Sequence, residues 1–159
     1  IERMARTRIL FICTGNLSRS PLAEALAEQV LAEKYGCRPG ELDQWGVEVN
    51  SAGVAAMDGA PAATDARIAV HDYGTDLQKH RSRMLRVDAL LSSDYIFGMT
   101  RSHVMAAQAM APEAAARVEL LRPDGREVDD PVSGGAEAHR RCAKEIYEAL
   151  RKRIAEKVI

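Results

Sequence analysis

The chain has 159 residues, of which 47% are hydrophobic and 28% are charged, as expected of one globular domain. Its 22 basic and 23 acidic residues nearly cancel, so no general basic surface predicts a nucleic-acid partner. The longest purely apolar run covers residues 9–13, which is too short for a membrane-spanning helix, and we expect no membrane partner.

Hydrophobic patterning predicts strands that alternate with helices along the chain. In chain order the predicted elements are strand 8–13, helix 21–36, strand 47–51, helix 61–71, a helical turn at 87–91, strand 94–99, helix 101–110, a short helix from Pro112, strand 118–121 and a final helix from Glu137 to about Val158. This alternation predicts an α/β fold, a three-layer αβα sandwich with a four-stranded parallel sheet.

The cysteine content indicates a reducing compartment. Cys13, Cys37 and Cys142 are too few and too widely spaced for a disulfide framework, and we therefore expect a cytoplasmic protein. A single domain is predicted over residues 7–159, and residues 1–6 are interpreted as the remnant of a linker or of an expression vector.

The loop after the first strand carries the pattern of a phosphate site. It reads Cys13-Thr-Gly-Asn-Leu-Ser-Arg19-Ser20-Pro21. Loops that follow parallel strands face the ligand, and the N-terminus of a helix offers unpaired N–H groups to an anion. The planar fork of Arg19 matches two phosphate oxygens, and such surroundings favour a thiolate at Cys13. Ser20 is placed to donate a hydrogen bond to that sulfur.

Two further loop residues also favour a phosphate site. Gly15 permits a sharp bend and a close approach to a ligand. Asn16 tolerates a left-handed backbone and can tie the loop together through its side chain. The alternative, a cysteine that only fills space at the end of a buried strand, is common for isolated cysteines, but here the cysteine opens a complete string in a strand–loop–helix setting.

Other site types do not match the sequence. The loop lacks the Gly-Lys-Ser/Thr ending of a nucleotide-binding loop, and no Gly-x-Ser-x-Gly elbow of a serine hydrolase occurs. The four histidines form no pair at helical spacing, and there is no Cys-x-x-Cys motif; the histidines are His71, His80, His103 and His139. We therefore expect neither a metal nor another cofactor.

Asp130 is the candidate proton donor for a leaving group. It lies in the string Asp129-Asp130-Pro131 after the fourth predicted strand, at the same sheet edge as Cys13. Pro131 biases the preceding residue towards an extended backbone, which would project the carboxylate of Asp130 over the pocket. A surface turn without any catalytic role is the alternative interpretation of this string.

Taken together, these residues resemble the low-molecular-weight protein phosphatase family. The resemblance covers nearly the whole chain from Arg8 and rests mainly on residues 13–21, with support from 50–53, His80, 94–100 and 130–131. It implies a four-stranded parallel sheet flanked by helices and a two-step mechanism that requires no metal. In that mechanism Cys13 attacks phosphorus, and Arg19 with the loop N–H groups holds the charge. Asp130 protonates the leaving group and later activates the water that hydrolyses a phosphocysteine.

The resemblance also assigns roles to the rest of the loop. It implies that phosphate is bound by Thr14, Gly15, Asn16, Leu17, Ser18 and Arg19, and that a polar network supports the loop through Asn16, Ser20, Ser51 and His80. The expected ligands are a phosphorylated protein and, in the same site, inorganic phosphate or another oxyanion.

The residue after the nucleophile bears on the substrate. Tyrosine phosphatases of the family usually carry a larger aliphatic residue there, whereas members that resemble bacterial protein-arginine phosphatases carry threonine, as this chain does at Thr14. The strings 51–54 and 99–103 also resemble the arginine subgroup. Val132 follows Asp130-Pro131 where tyrosine-type enzymes place aromatic rings, although arginine-type members often keep one Phe there. We predict phosphoarginine hydrolysis, with protein-tyrosine phosphatase activity as the alternative.

Two remoter functions stay open at this point. An arsenate reductase on the same fold would need relay cysteines beyond mid-chain, and none occurs between Cys37 and Cys142. A phosphate-binding module without turnover would have lost its nucleophile or its acid, and candidates for both are present.

Overall fold

Four parallel strands form the centre of the structure, a computed structural model that describes residues 6–156. They are β1 (Thr7–Cys13), β2 (Val47–Gly53), β3 (Tyr95–Gly98) and β4 (Val118–Leu120). Their order in the sheet is β2-β1-β3-β4, which confirms the predicted four-stranded parallel sheet. The chain leaves β1 towards β2 on one side and later returns to β3 on the other, so the end of β1 is a topological switch point, where ligands bind in such folds.

Helices cover both faces of this sheet, as predicted. The α-helices are α1 (Arg19–Tyr35), α2 (Thr64–His71), α3 (Val87–Ser92), α4 (Arg101–Met110) and α5 (Gly135–Ala155), and two 3₁₀-helices cover Pro39–Trp45 and Pro112–Arg117. Among the described residues, no helix combines the length and the apolar character needed to cross a bilayer.

The apolar residues of β1 belong to two separate cores. Ile9 and Phe11 pack with residues of α1, α2 and α5, whereas Leu10 and Ile12 pack with residues of α3, α4 and the second 3₁₀-helix. All four side chains are buried, because a central strand of a parallel sheet is covered on both faces. The two cores therefore hold the end of β1 rigidly in place.

Two predicted helix starts are shifted for identifiable reasons. α1 begins at Arg19 rather than at Pro21, which a proline in the first turn allows because the first four N–H groups of a helix have no partner in the helix. α2 begins at Thr64 rather than at residue 61. The backbone before it stays extended, and the N–H of Ala63 donates to the carbonyl of Leu17, so this segment lies against the loop that follows β1.

The remaining differences concern segment ends and one short helix. β2 continues to Gly53 because it pairs with β1 as far as Cys13. The first 3₁₀-helix is not predicted by the sequence patterning, and it is closed by a hydrogen bond from the N–H of Arg38 to Glu41. The predicted end of the last helix, Val158, lies outside the described residues, as do residues 1–5 of the segment interpreted as a remnant.

Glu28 makes the stability of this fold depend on pH. It lies partly buried on α1, one turn after Glu24, and burial followed by repulsion from Glu24 raises the pKa of Glu28 to about 8. In the unfolded chain a glutamate ionises near pH 4.3. Between these values the folded state holds one more proton than the unfolded state, so the free energy of unfolding falls as the pH rises.

We expect Glu28→Gln to raise the free energy of unfolding at pH 8.5 by about 2 kcal/mol, a value reduced for the partial exposure of the side chain. Much less gain is expected at pH 5, where the folded wild-type protein carries a neutral Glu28. Urea denaturation at the two pH values measures the difference. Glu33→Gln, which removes an exposed carboxylate of the same helix, is the matched control. An equal gain at both pH values would show that ionisation is not the cause.

Candidate active site

The loop after β1 folds back over the sulfur of Cys13. Asn16 has a φ of 57°, a left-handed conformation that asparagine tolerates, and its N–H donates to the Cys13 Sγ at 3.3 Å. Cys13 itself is only 2% exposed. Gly53 at the end of β2 makes this arrangement possible, because a Cβ there would collide with the carbonyl oxygen of Thr14.

A polar network centred on Asn16 supports the loop. The side-chain amide of Asn16 donates to Ser20 Oγ at 2.8 Å and to Ser51 Oγ at 2.9 Å. Its Oδ1 accepts from the N–H of Arg83 at 3.0 Å, and its carbonyl accepts from His80 Nε2 at 2.8 Å. The four residues predicted to support the loop therefore meet in one cluster, in which His80 is half-buried and the other three are buried, and the backbone of Arg83 is an additional member. Such a fully paired network restrains the loop to one conformation.

Ser20 is also in contact with the candidate nucleophile. Its Oγ lies 2.9 Å from Cys13 Sγ and 3.4 Å from the carbonyl of Ala52. Because Asn16 donates to the Ser20 oxygen, the hydroxyl hydrogen of Ser20 is left to donate. The sulfur is the nearer acceptor, so Ser20 is placed to donate to it.

Arg19 lies at the floor of the site with its guanidinium held from several sides. It is buried in the first turn of α1, and its Nη1 donates to the carbonyl of Val128 at 3.1 Å. Its Nη2 lies 3.5 Å from Thr14 Oγ1 and 3.6 Å from Asp130 Oδ2. The guanidinium thus connects the loop after β1 with the loop after β4, and it is oriented before any ligand arrives.

Asp130 stands at the boundary between this guanidinium and solvent. Its Oδ1 accepts from the N–H of Val132 at 3.1 Å, which closes a tight turn around Pro131. Its Oδ2 faces Arg19, while the side chain remains 50% exposed. A carboxylate in this place can reach a leaving group that enters from solvent, so the geometry is compatible with the predicted proton transfer.

Two buried histidines contact the loop, and the sequence patterning did not assign them a role. His103 Nε2 lies 2.9 Å from Thr14 Oγ1, and His139 Nε2 lies 3.1 Å from Ser18 Oγ. The spacing of the histidines along the chain bears only on metal binding. It could not predict these contacts, because they join residues 89 and 121 positions apart. Within residues 6–156, no cluster of three or more His, Cys, Asp and Glu side chains could hold a metal ion.

The hydroxyl of Ser18 contacts His139 and does not cap its own helix. The Nδ1 of His139 donates to the carbonyl of Gly135 at 2.8 Å, so its Nε2 is the acceptor in the neutral ring and the hydroxyl of Ser18 donates to it. Ser18 is the N-cap residue of α1 but makes no capping hydrogen bond. Its hydroxyl therefore does not compete for the first N–H groups of α1, which can bind an anion.

Comparisons with known proteins identify the family of the chain. The model of the family described as low molecular weight phosphotyrosine protein phosphatase matches residues 8–158. A protein-arginine-phosphatase of Geobacillus stearothermophilus is 34% identical over 156 residues, which cover 95% of each chain. The chain is therefore similar in sequence to an enzyme that acts on phosphoarginine.

Solved structures named as tyrosine phosphatases and as arginine phosphatases share the fold of this chain. A low-molecular-weight protein tyrosine phosphatase from T. tengcongensis has a TM-score of 0.82 at 30% identity, with 94% of this chain and 99% of that chain covered. A mutant YwlE arginine phosphatase with a phosphorylated active-site serine has a TM-score of 0.82 at 29% identity, with 96% and 95% covered. This chain belongs to the low-molecular-weight protein phosphatase family, whose relatives are named as arginine and tyrosine phosphatases.

Proposed function

We propose that the chain is a protein-arginine phosphatase that works through a phosphocysteine intermediate. The observation that carries the proposal is the polar floor of the site at Thr14. The Thr14 hydroxyl lies within reach of both His103 and the guanidinium of Arg19. A phosphoarginine carries an N–H group next to phosphorus, where a phosphotyrosine carries an oxygen without hydrogen, so a hydroxyl at this place suits the nitrogen compound.

The walls of the site support the same substrate. No aromatic residue occurs in the loops 14–18, 54–60 and 128–134. Exposed aliphatic side chains take their place in these loops, namely Leu17, Met57 and Val132, the last two of them 81% and 72% exposed. A phenyl ring would find no ring to stack on, whereas a guanidinium on an aliphatic stem can pair with the carboxylate of Asp130.

The proposed reaction has two chemical steps. In the first, the thiolate of Cys13 attacks phosphorus and the P–N bond breaks, while Asp130 gives its proton to the departing nitrogen. Arg19 and the N–H groups of residues 14–19 hold the charge of the transferred group. In the second step, Asp130 takes a proton from the attacking water and the S–P bond breaks. Ser20 then donates to the released thiolate, and the products are an arginine side chain and inorganic phosphate.

Two further observations support parts of this proposal. The YwlE relative carries phosphate on an active-site serine, which supports a covalent intermediate at the position of the nucleophile. All three cysteines of this chain are free thiols, in keeping with the cytoplasmic location that we propose.

Turnover of two matched peptides tests the substrate. The peptides share one sequence and carry phosphoarginine or phosphotyrosine at the same position. We expect a higher kcat/KM, measured by phosphate release, for the phosphoarginine peptide. Faster turnover of phosphotyrosine would reject the arginine assignment and leave a tyrosine phosphatase. Binding of phosphate without turnover of either peptide would indicate a non-catalytic module.

Thr14→Ile is expected to shift the preference towards phosphotyrosine. The substitution removes the hydroxyl that suits the bridging nitrogen and adds an apolar group, so the kcat/KM ratio of phosphoarginine to phosphotyrosine should fall by about 10- to 100-fold. Thr14→Ser keeps the hydroxyl and serves as the control, with a ratio close to that of the wild type. An unchanged ratio in the isoleucine variant would count against Thr14 as the selective residue.

A further inference from the structure

We propose that His103 is a positioning residue that fixes the hydroxyl of Thr14 and thereby contributes to the preference for phosphoarginine. The inference rests on the proposed function, because it names a second residue that governs the selectivity of the same site. His103 lies buried in the first turn of α4, on the face of the sheet opposite α1. Its ring nevertheless contacts Thr14 in the loop that leads into α1.

The surroundings of the ring determine which nitrogen carries the proton. The backbone N–H of Thr100, which can only donate, lies 3.1 Å from Nδ1 of His103. Nδ1 is therefore an acceptor, and in the neutral ring the proton resides on Nε2. That Nε2–H points at Thr14 Oγ1, 2.9 Å away. The imidazole thus acts as a fixed donor to the Thr14 hydroxyl.

Burial and the charge of Arg19 keep the His103 ring neutral. Burial, followed by the nearby guanidinium of Arg19, lowers the pKa of His103 to about 4, against the opposite effects of Glu127 and Asp130. A ring that stays neutral at physiological pH keeps Nδ1 free to accept and keeps its single proton on Nε2. The direction of the hydrogen bond to Thr14 is therefore constant over the pH range in which a cytoplasmic enzyme works.

This donor constrains what Thr14 can offer to a ligand. A hydroxyl has one hydrogen and two lone pairs. His103 occupies one lone pair, and Arg19 Nη2 approaches the oxygen from 3.5 Å. When the fork of Arg19 binds phosphate oxygens, the second lone pair can accept the N–H that adjoins phosphorus in phosphoarginine. Without His103 the Thr14 hydroxyl rotates freely among its staggered positions. For part of the time it then presents no lone pair to the N–H of phosphoarginine.

The same ring also closes the first turn of α4, which determines the choice of variant. Thr100 Oγ1 accepts from the N–H of His103, and His103 Nδ1 accepts from the N–H of Thr100. Asparagine at this position can accept from the same N–H through its Oδ1, but its side chain is too short for the amide nitrogen to reach Thr14. Gly98 allows this turn to lie against β3, since a Cβ there would lie 3.2 Å from that of His103. His103→Asn therefore keeps the acceptor at the helix start and removes the donor to Thr14.

The experiment compares His103→Asn, Thr14→Val and the double variant with the wild type. The readout is the ratio of kcat/KM for the two matched peptides, with the inhibition constant of inorganic phosphate as a measure of the intact loop. We expect each single variant to lower the ratio by about 5- to 10-fold, the equivalent of one hydrogen bond. The double variant should lower it no further than Thr14→Val does. Inhibition by phosphate should stay within about twofold, because Arg19 and the loop N–H groups are untouched.

Each result has a distinct meaning. If Thr14→Val lowers the ratio and His103→Asn does not, or if the two effects add, His103 has no positioning role while the proposed function stands. If the wild type does not prefer phosphoarginine, both are overturned. Thermal unfolding followed by circular dichroism checks each variant, and His103→Leu, which has a similar volume and no donor, replaces an asparagine variant that fails to fold.

Discussion

Replacing Cys13 with serine is expected to lower kcat by about 10⁴-fold or more. The reason is that the contacts of the sulfur are a hydroxyl and an amide, Ser20 Oγ and the N–H of Asn16. Both stabilise a thiolate, and neither can take a proton from a serine hydroxyl, so the substituted side chain remains a neutral alcohol. Initial rates with the phosphoarginine peptide measure the loss.

Oxyanion binding should survive this substitution. Calorimetric titration with inorganic phosphate is expected to give a Kd within about threefold of the wild-type value, because Arg19 and the helix N-terminus remain in place. Cys37→Ser is the matched control, since Cys37 lies after the end of α1 and outside the site. Turnover that persists in the Cys13 variant but is lost in the Cys37 variant would show that Cys37, and not Cys13, is the nucleophile.

Asp130→Asn should slow the reaction most for substrates that need a protonated leaving group. We expect kcat/KM to fall by about 10²-fold for the phosphoarginine peptide and by less than about 10-fold for p-nitrophenyl phosphate, whose phenolate departs without a proton. Asparagine keeps an Oδ1 that can accept from the N–H of Val132, as Asp130 does. The turn is therefore preserved, whereas the proton and the ion pair with Arg19 are removed.

The neighbouring carboxylate provides the control for this variant. Asp129 is exposed, and it interacts electrostatically with Arg122. Asp129→Asn should therefore leave both substrates at wild-type rates. An equal loss for both substrates in the Asp130 variant would contradict a role in proton transfer and would point to electrostatic or structural support instead.

The fold was predictable because its signals are local. β1 is a continuous apolar run, and α4 begins and ends where its periodicity predicts, at Arg101 and Met110. The starts of α1 and α2 were less predictable, because contacts with other segments set them. For example, a hydrogen bond from the N–H of Ala63 to the carbonyl of Leu17 keeps the backbone extended. The residues around Ala63 do not indicate that hydrogen bond.

The candidate site likewise contains features that the sequence predicts and features that it does not. Cys13, Arg19 and the residues between them follow one another in the chain, so their chemistry can be derived from the order of residue types, and the family assignment that rests on them is confirmed. The roles proposed for these residues stay predictions until the variants are measured. Asp130 was also accessible to sequence reasoning, because parallel strands bring the loops after β1 and β4 to one edge of the sheet.

The partners of the loop side chains could not be derived in this way. That Thr14 accepts a hydrogen bond from His103, and that Ser18 donates one to His139, depends on how α4 and α5 pack against the sheet. Residue types and their order along the chain thus specify a phosphate loop with a thiol and a guanidinium, because those groups lie within a few residues of each other. The orientation of each hydroxyl in that loop follows from packing, because its hydrogen-bonding partner arrives from a distant helix.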